Sequence, residues 1–77
     1  MSIKVRYFAS LKESIGRPED SLEFLGLATV GDVWRRANPN ITLPENSLAA
    51  LNMDYVDLNS TVNDGDEVAF FPPVTGG

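Results

Sequence analysis

The chemistry this sequence can offer is concentrated in its last residues, Phe71-Pro72-Pro73-Val74-Thr75-Gly76-Gly77. Pro72 and Pro73 cannot donate to a sheet ladder, so regular structure is expected to stop near Phe71. The same pair stiffens the exit into a polyproline-like segment. Six extended residues reach about 20 Å from the body of a domain. Gly76 and Gly77 carry no side chains, so they can pass down a narrow channel and present an α-carboxylate to another protein's catalytic groups. With glycine at about 7% of residues, a pair in the last two places arises by chance with a frequency near 0.5%.

The other side chains could not do this work alone. The 77 residues include no cysteine and no histidine. That excludes a thiolate nucleophile, an imidazole base, a Cys/His zinc site and a Ser-His-Asp triad. Asp64, Asp66 and Glu67 invite a reading as metal ligands. In a calcium loop whose sixth residue is Gly65, however, the first ligand position falls on Ser60. They read better as a solvated turn. Arg35 and Arg36 could form a small anion site, but at the end of a helix they more simply complement its macrodipole. Neither G-x-G-x-x-G nor a G-K-[ST] phosphate loop occurs.

Charge narrows the partners. Residues 1–36 hold all six basic residues and five acidic ones, a net of +1, whereas residues 37–77 hold six acids and no base, a net of -6. Nucleic acid is not expected as a partner, since it demands basic stripes. The acidic half should steer toward a basic protein surface. Lys4 and Arg6 interrupt the apolar opening, which does not resemble a signal peptide, and no apolar run is long enough to span a membrane. The sequons at Asn40-Ile41-Thr42 and Asn59-Ser60-Thr61 read as chance matches. A cytoplasmic protein that touches no membrane is expected.

A small set of elements must position the tail. Ile3, Val5 and Tyr7 alternate with Lys4, Arg6 and Phe8, the pattern of a half-buried strand. Ser10 stands three residues before Glu13 in a capping-box spacing, which predicts a short helix over 11–15 stopped by Gly16. A second strand is expected near 20–25. Thr29 and Asp32 then cap a helix whose Val30, Val33, Trp34 and Ala37 form one apolar stripe, ended by Pro39. Trp34 belongs to the core on this pattern. Leu48–Met53 reads as a strand, Asp54 as a turn, Tyr55–Asp57 as a short strand, Asn63-Asp64-Gly65-Asp66 as a turn and Val68–Phe71 as the last strand.

This order predicts an α+β fold, a β-grasp or ubiquitin-like roll. Its mixed sheet has one main helix on one face, with residues 1–71 as the domain and 72–77 as an extended tail. Strand parity then puts Phe8 with Lys4 and Arg6 on the face away from the helix, and Phe71 with Glu67 and Ala69. Two aromatic residues on neighbouring strands form an apolar patch, so Phe8 and Phe71 are the expected partner interface.

The run Asp64-Gly65-Asp66-Glu67-Val68-Ala69-Phe70-Phe71-Pro72-Pro73-Val74-Thr75-Gly76-Gly77, with the opening Ile3-Lys4-Val5-Arg6-Tyr7-Phe8-Ala9, resembles the MoaD family of sulfur carriers, the small subunits of molybdopterin synthase. The resemblance covers the whole chain and is least diagnostic over 37–63. It implies that an ATP-using adenylyltransferase, similar to the enzymes that activate ubiquitin, adenylates the Gly77 carboxylate, and that a sulfur donor converts the adenylate to a thiocarboxylate. The charged carrier would dock on the large synthase subunit and insert Pro72, Pro73, Val74, Thr75 and Gly76. It would give its sulfur to a pyranopterin precursor, two transfers making the dithiolene of molybdopterin. The family complex is a heterotetramer. No bound cofactor and no metal is implied, and the chain is not expected to be catalytic alone. Two alternatives stand beside this: a sulfur carrier for thiamin synthesis, whose carriers lack the double proline, or for tRNA thiolation; and a noncatalytic β-grasp binding module, which would tolerate loss of Gly77.

Overall fold

A computed structural model of the chain describes residues 1–73. The first strand, β1 (Ser2–Tyr7), alternates exposed and buried residues without a break, as its period-two sequence requires. It is followed by α1 (Ala9–Ile15), β2 (Glu19–Glu23), α2 (Val30–Ala37), β3 (Leu48–Leu51), β4 (Asp54–Val56) and β5 (Glu67–Phe71). The strands form one mixed sheet in the order β2-β1-β5-β3-β4. β5 lies at its centre, parallel to β1 and antiparallel to β3. This is the β-grasp roll expected from the order of elements.

The core lies between the sheet and α2. Ile3, Val5, Tyr7, Val68 and Phe70 descend from the central strands onto Val30, Val33 and Trp34, all of them buried. Burying each such side chain contributes about 1.5–3 kcal/mol relative to exposure. Trp34 meets Phe70 edge-on at 5.1 Å and Tyr7 at 6.0 Å, geometries that suit the ring quadrupoles. Its indole N–H, which would be costly to bury unpaired, donates to the Ile41 carbonyl at 2.8 Å. The Thr29–Asp32 capping box forms as the sequence predicts: the Thr29 hydroxyl accepts from Asp32 N–H, and the Asp32 carboxylate accepts from Thr29 N–H. α2 ends at Ala37, ahead of Pro39.

Several boundaries differ from the sequence reading. Ser10 does not cap α1; the helix begins two residues earlier than predicted, with extended Phe8 at its N-cap and no side-chain cap. The Phe8 carbonyl accepts from Leu11 and Lys12 N–H, and Ala9 enters the helix through a left-handed φ of 51°. Gly16 closes α1 in the left-handed conformation, as expected. β2 spans Glu19–Glu23 rather than 20–25, and β5 starts at Glu67 rather than Val68. The larger correction is the β3–β4 hairpin. The turn lies at Asn52-Met53 rather than Asp54, which belongs to β4, and the register pairs Leu51 with Asp54. Asn52 and Met53 both have positive φ, 50° and 75°, as a two-residue primed turn needs. Asn52 is held there by Glu67: its N–H donates to the Glu67 carbonyl and its side-chain oxygen accepts from Glu67 N–H.

A closed ring of polar side chains ties the end of α2 to the first two strands. Tyr7 Oη donates to Asp20 Oδ2 at 2.8 Å and accepts from Asn38 Nδ2 at 3.0 Å. Arg17 grips Asp20 through Nε and Nη2, and Nη2 also donates to Asn38 Oδ1 at 2.9 Å. Asn38, the buried polar residue at the α2 C-cap, is thereby satisfied on both sides. Burial alone would raise the Asp20 carboxyl, but hydrogen bonds from Arg17 and Tyr7 outweigh it and hold the carboxyl below its ordinary range. Burial and the adjacent Asp20 carboxylate push the Tyr7 phenol up.

Two outcomes follow from these contacts. A left-handed L-residue costs about 1–2 kcal/mol, partly offset by the unfolded-state entropy that glycine adds. Met53→Gly should therefore raise Tm by about 2–6 °C in a thermal melt, and a fall would show that the turn is unstrained. Asp20→Asn tests the ring by pH. A depressed folded value means that the stability from this carboxylate is present above the ordinary carboxylate range and is lost as pH falls through the depressed one. The Tm gap between the unaltered chain and Asp20→Asn should be full at neutral pH and close in acid, whereas a gap of constant size down to about pH 2 would remove the charge from the account.

Candidate functional site

The sheet face turned away from α2 has no layer over it among the described residues, and parity decides what it displays. Lys4, Arg6 and Phe8 come from the β1 side, and Glu67, Ala69 and Phe71 from β5, as the sequence predicts. Phe8 and Phe71 stack with ring centroids 4.7 Å apart and planes within 9°. The pair is held from below by the backbone, since Phe8 N–H donates to the Phe70 carbonyl at 3.1 Å. The Arg6 guanidinium lies 5.5 Å from the Phe8 ring centroid, a cation–π approach, and pairs with Glu67 at 3.9 Å.

The sequence reading missed three members of this surface. Tyr55 is 71% exposed, and its ring lies 5.9 Å from that of Phe71, on the side away from Phe8. Leu48, opposite Phe71 in the β3–β5 register, is exposed beside it. Met53, at the tip of the hairpin, is 90% exposed. Alternation alone could have placed Tyr55 on this face, had the hairpin turn been located two residues earlier. The Asn52-Met53 pair lacks the glycine that usually marks such a turn. Tyr55 and Met53 join Arg6, Phe8, Glu67 and Phe71 around a cleft of about 240 Å³ whose floor is Ala50 and Ala69.

Phe71 is the last residue of the central strand, and the half-buried Pro72 and Pro73 follow it directly. The aromatic cluster thus stands at the root of the tail. Val74, Thr75, Gly76 and Gly77, named from the sequence as the inserting and reacting residues, lie outside the described residues.

The competing sites are engaged locally. Asp66 accepts from Asn63 N–H at 2.7 Å and from Asn52 Nδ2 at 2.9 Å, so it braces the turn before β5 against the β3–β4 hairpin. Gly65 takes a φ of 89° in that turn, as expected. Glu67 faces Arg6. Among the described residues, no cluster of three carboxylates is arranged to hold a metal ion. Arg35 pairs with Asp32 one turn back, and with Arg36 it occupies the last turn of α2, where positive charge suits the dipole. Trp34 is core. No helix among the described residues is long and apolar enough to cross a membrane.

Comparison with known proteins gives this geometry a context. The chain is 38% identical to the molybdopterin synthase sulfur carrier subunit of Escherichia coli (strain K12), over 97% of this chain and 99% of that one. Its fold superposes on SAMP1 from Haloferax volcanii with a TM-score of 0.78 and 30% identity, each chain covered in full. It also superposes on a chain of the complex of subunits 1 and 2 of molybdopterin-converting factor from Helicobacter pylori 26695, with a TM-score of 0.67, 26% identity and full coverage of both. The model of the ThiS family matches residues 5–77, from the first strand through the terminal glycines, and the chain belongs to that family.

Proposed function

We propose that this protein is the sulfur carrier subunit of molybdopterin synthase. The observation that carries the reading is structural: the central strand of the sheet runs directly into Pro72-Pro73 beside an exposed aromatic cluster, so one face can hold a partner while the chain's end reaches its chemistry. Full-length likeness to sulfur carrier subunits supports it.

In this reading the Gly77 carboxylate attacks ATP on an adenylyltransferase, releasing pyrophosphate and converting a poor leaving group, oxide, into a good one, AMP. A sulfur donor then displaces AMP and leaves a thiocarboxylate, a stronger sulfur nucleophile than any side chain in the chain. Docked on the large subunit, the carrier delivers this sulfur to the pyranopterin precursor. Base and electrophilic groups come from the partners, so the carrier itself contributes position and a reactive terminus. ATP is consumed by the activating partner, and the carrier holds no cofactor of its own. The charging and discharging enzymes share its compartment, the cytoplasm. The face that meets them contains Phe8 and Phe71, with Pro72, Pro73, Val74, Thr75 and Gly76 entering the active site.

Removing Gly77 should leave the circular dichroism spectrum and Tm unchanged. It should abolish thiocarboxylate formation, read by intact mass as the exchange of one oxygen for sulfur, and with it reconstituted molybdopterin synthesis. A truncated chain with full activity would refute the carrier role. Phe71→Ala should weaken binding to the large subunit by about 2 kcal/mol or more, roughly 30-fold in Kd. It should cost the free chain only the ring stacking, about 0.5–1.5 kcal/mol. A monomer that unfolds outright while its docking is unchanged would assign Phe71 to stability instead.

A further inference from the structure

The middle of the exposed face is a hole rather than a ridge. Across the sheet the register aligns Arg6, Ala69, Ala50 and Tyr55 in one row, two small residues between two large ones. Ala50 is only 6% exposed although none of the chain's described elements lies over this face. Its neighbours must therefore rise around it. Phe8 and Phe71 wall one side of the depression, and Met53 and Glu67 line it with them.

We propose that this depression is a socket for one long apolar side chain (leucine, methionine or phenylalanine) projecting from the large synthase subunit; the inference rests on the carrier reading above. Size argues for a side chain: at about 240 Å³ the cleft falls below the roughly 300–1,000 Å³ of pockets that take small organic ligands. Charge argues for an apolar one, because Arg6 and Glu67 on the rim already face each other and ask no counter-charge of a visitor. Chain length argues for the partner. Phe71 walls the socket and immediately precedes Pro72, and only six residues separate Phe71 from the reacting terminus. A protein that acts at Gly77 must therefore stand within about 20 Å of the socket. Met53 adds a second sign. It occupies a left-handed turn position where glycine would be relaxed, and what it gains there is an exposed thioether at the socket's edge. Strain of this kind collects at functional positions, and methionine adapts its shape to an inserted group.

The test fills the socket from the carrier side. Ala69→Leu and, separately, Ala69→Met place a larger side chain on the outward face, away from the Val68–Phe70 layer. Binding of the purified large subunit is measured by calorimetry, with Tm recorded for each variant. Both variants should keep Tm within a few degrees and lose about tenfold or more in affinity, and Ala69→Gly, which deepens the socket, should stay within about threefold. High concentrations of thiocarboxylated Ala69→Leu should restore the single-turnover rate of sulfur transfer, because the tail is unaltered and only docking is impaired. Unchanged affinity in both enlarged variants, with the unaltered chain binding normally, would overturn the socket and leave the carrier role standing. An unaltered chain that neither binds the large subunit nor accepts sulfur would overturn the carrier role, and the socket with it. Sedimentation showing a dimer of the free chain that Ala69→Leu dissociates would assign the socket to a second copy and overturn the proposal.

Discussion

The molecule is organised by the placement of its last strand at the centre of the sheet. β5 bonds to β1 on one side and to β3 on the other, so its backbone groups are spoken for along both edges. Five residues then carry two jobs at once. Val68 and Phe70 complete the core, while Glu67, Ala69 and Phe71 form the middle of the outer face. A one-residue slip would exchange the two sets, burying Glu67 and exposing Phe70, and the energetic cost of that exchange fixes the register. The prolines after Phe71 end the ladder where the outer face needs its last aromatic residue. Pro72 thus leaves from the centre of the sheet, where the strand is bonded on both sides, rather than from a fraying edge.

The rest of the chain protects that arrangement. The outer strand β2 is acidic, Glu19-Asp20-Ser21-Leu22-Glu23, and the opposite edge, β4, is only three residues long. Both devices discourage edge-to-edge association, which matters for a protein that leaves one sheet face apolar. On the covered side, the ring of Tyr7, Asp20, Arg17 and Asn38 closes the end of α2 over the first two strands. Its value lies in complete satisfaction: none of the buried side-chain polar atoms among the described residues lacks a partner.

What could be read in the sequence was what repeats at a fixed period or sits at a fixed offset. Alternation over Ile3–Phe8 and Glu67–Phe71 assigned both faces correctly, and the Thr29–Asp32 spacing placed the cap of α2. Departures occurred where distant residues overruled a local pattern. Ser10 and Glu13 have capping-box spacing, yet Phe8, fixed by its stack on Phe71 and its bond to Phe70, starts the helix instead. Asn52 turns the chain because β5 holds it, and a local reading cannot see β5. The polar ring was equally hidden, since Tyr7 and Asn38 stand 31 positions apart. Met53 escaped notice with the turn it belongs to, and Tyr55 with it, because the face of a residue follows from where its strand begins.

A division of labour follows from this composition. A domain without cysteine or histidine cannot distinguish partners by reactivity, and the group proposed to react is a backbone terminus that carries no side chain. Recognition must then reside in shape and charge on the domain. The outer face provides both: aromatic walls, an alanine floor and a self-neutralised Arg6–Glu67 rim. In the proposed role two different enzymes would read one such face in turn, because docking on a preorganised sheet demands little rearrangement of the carrier. On the carrier reading proposed above, the features that make the sequence look chemically inert are therefore the ones that would let the same terminus be charged in one active site and discharged in another.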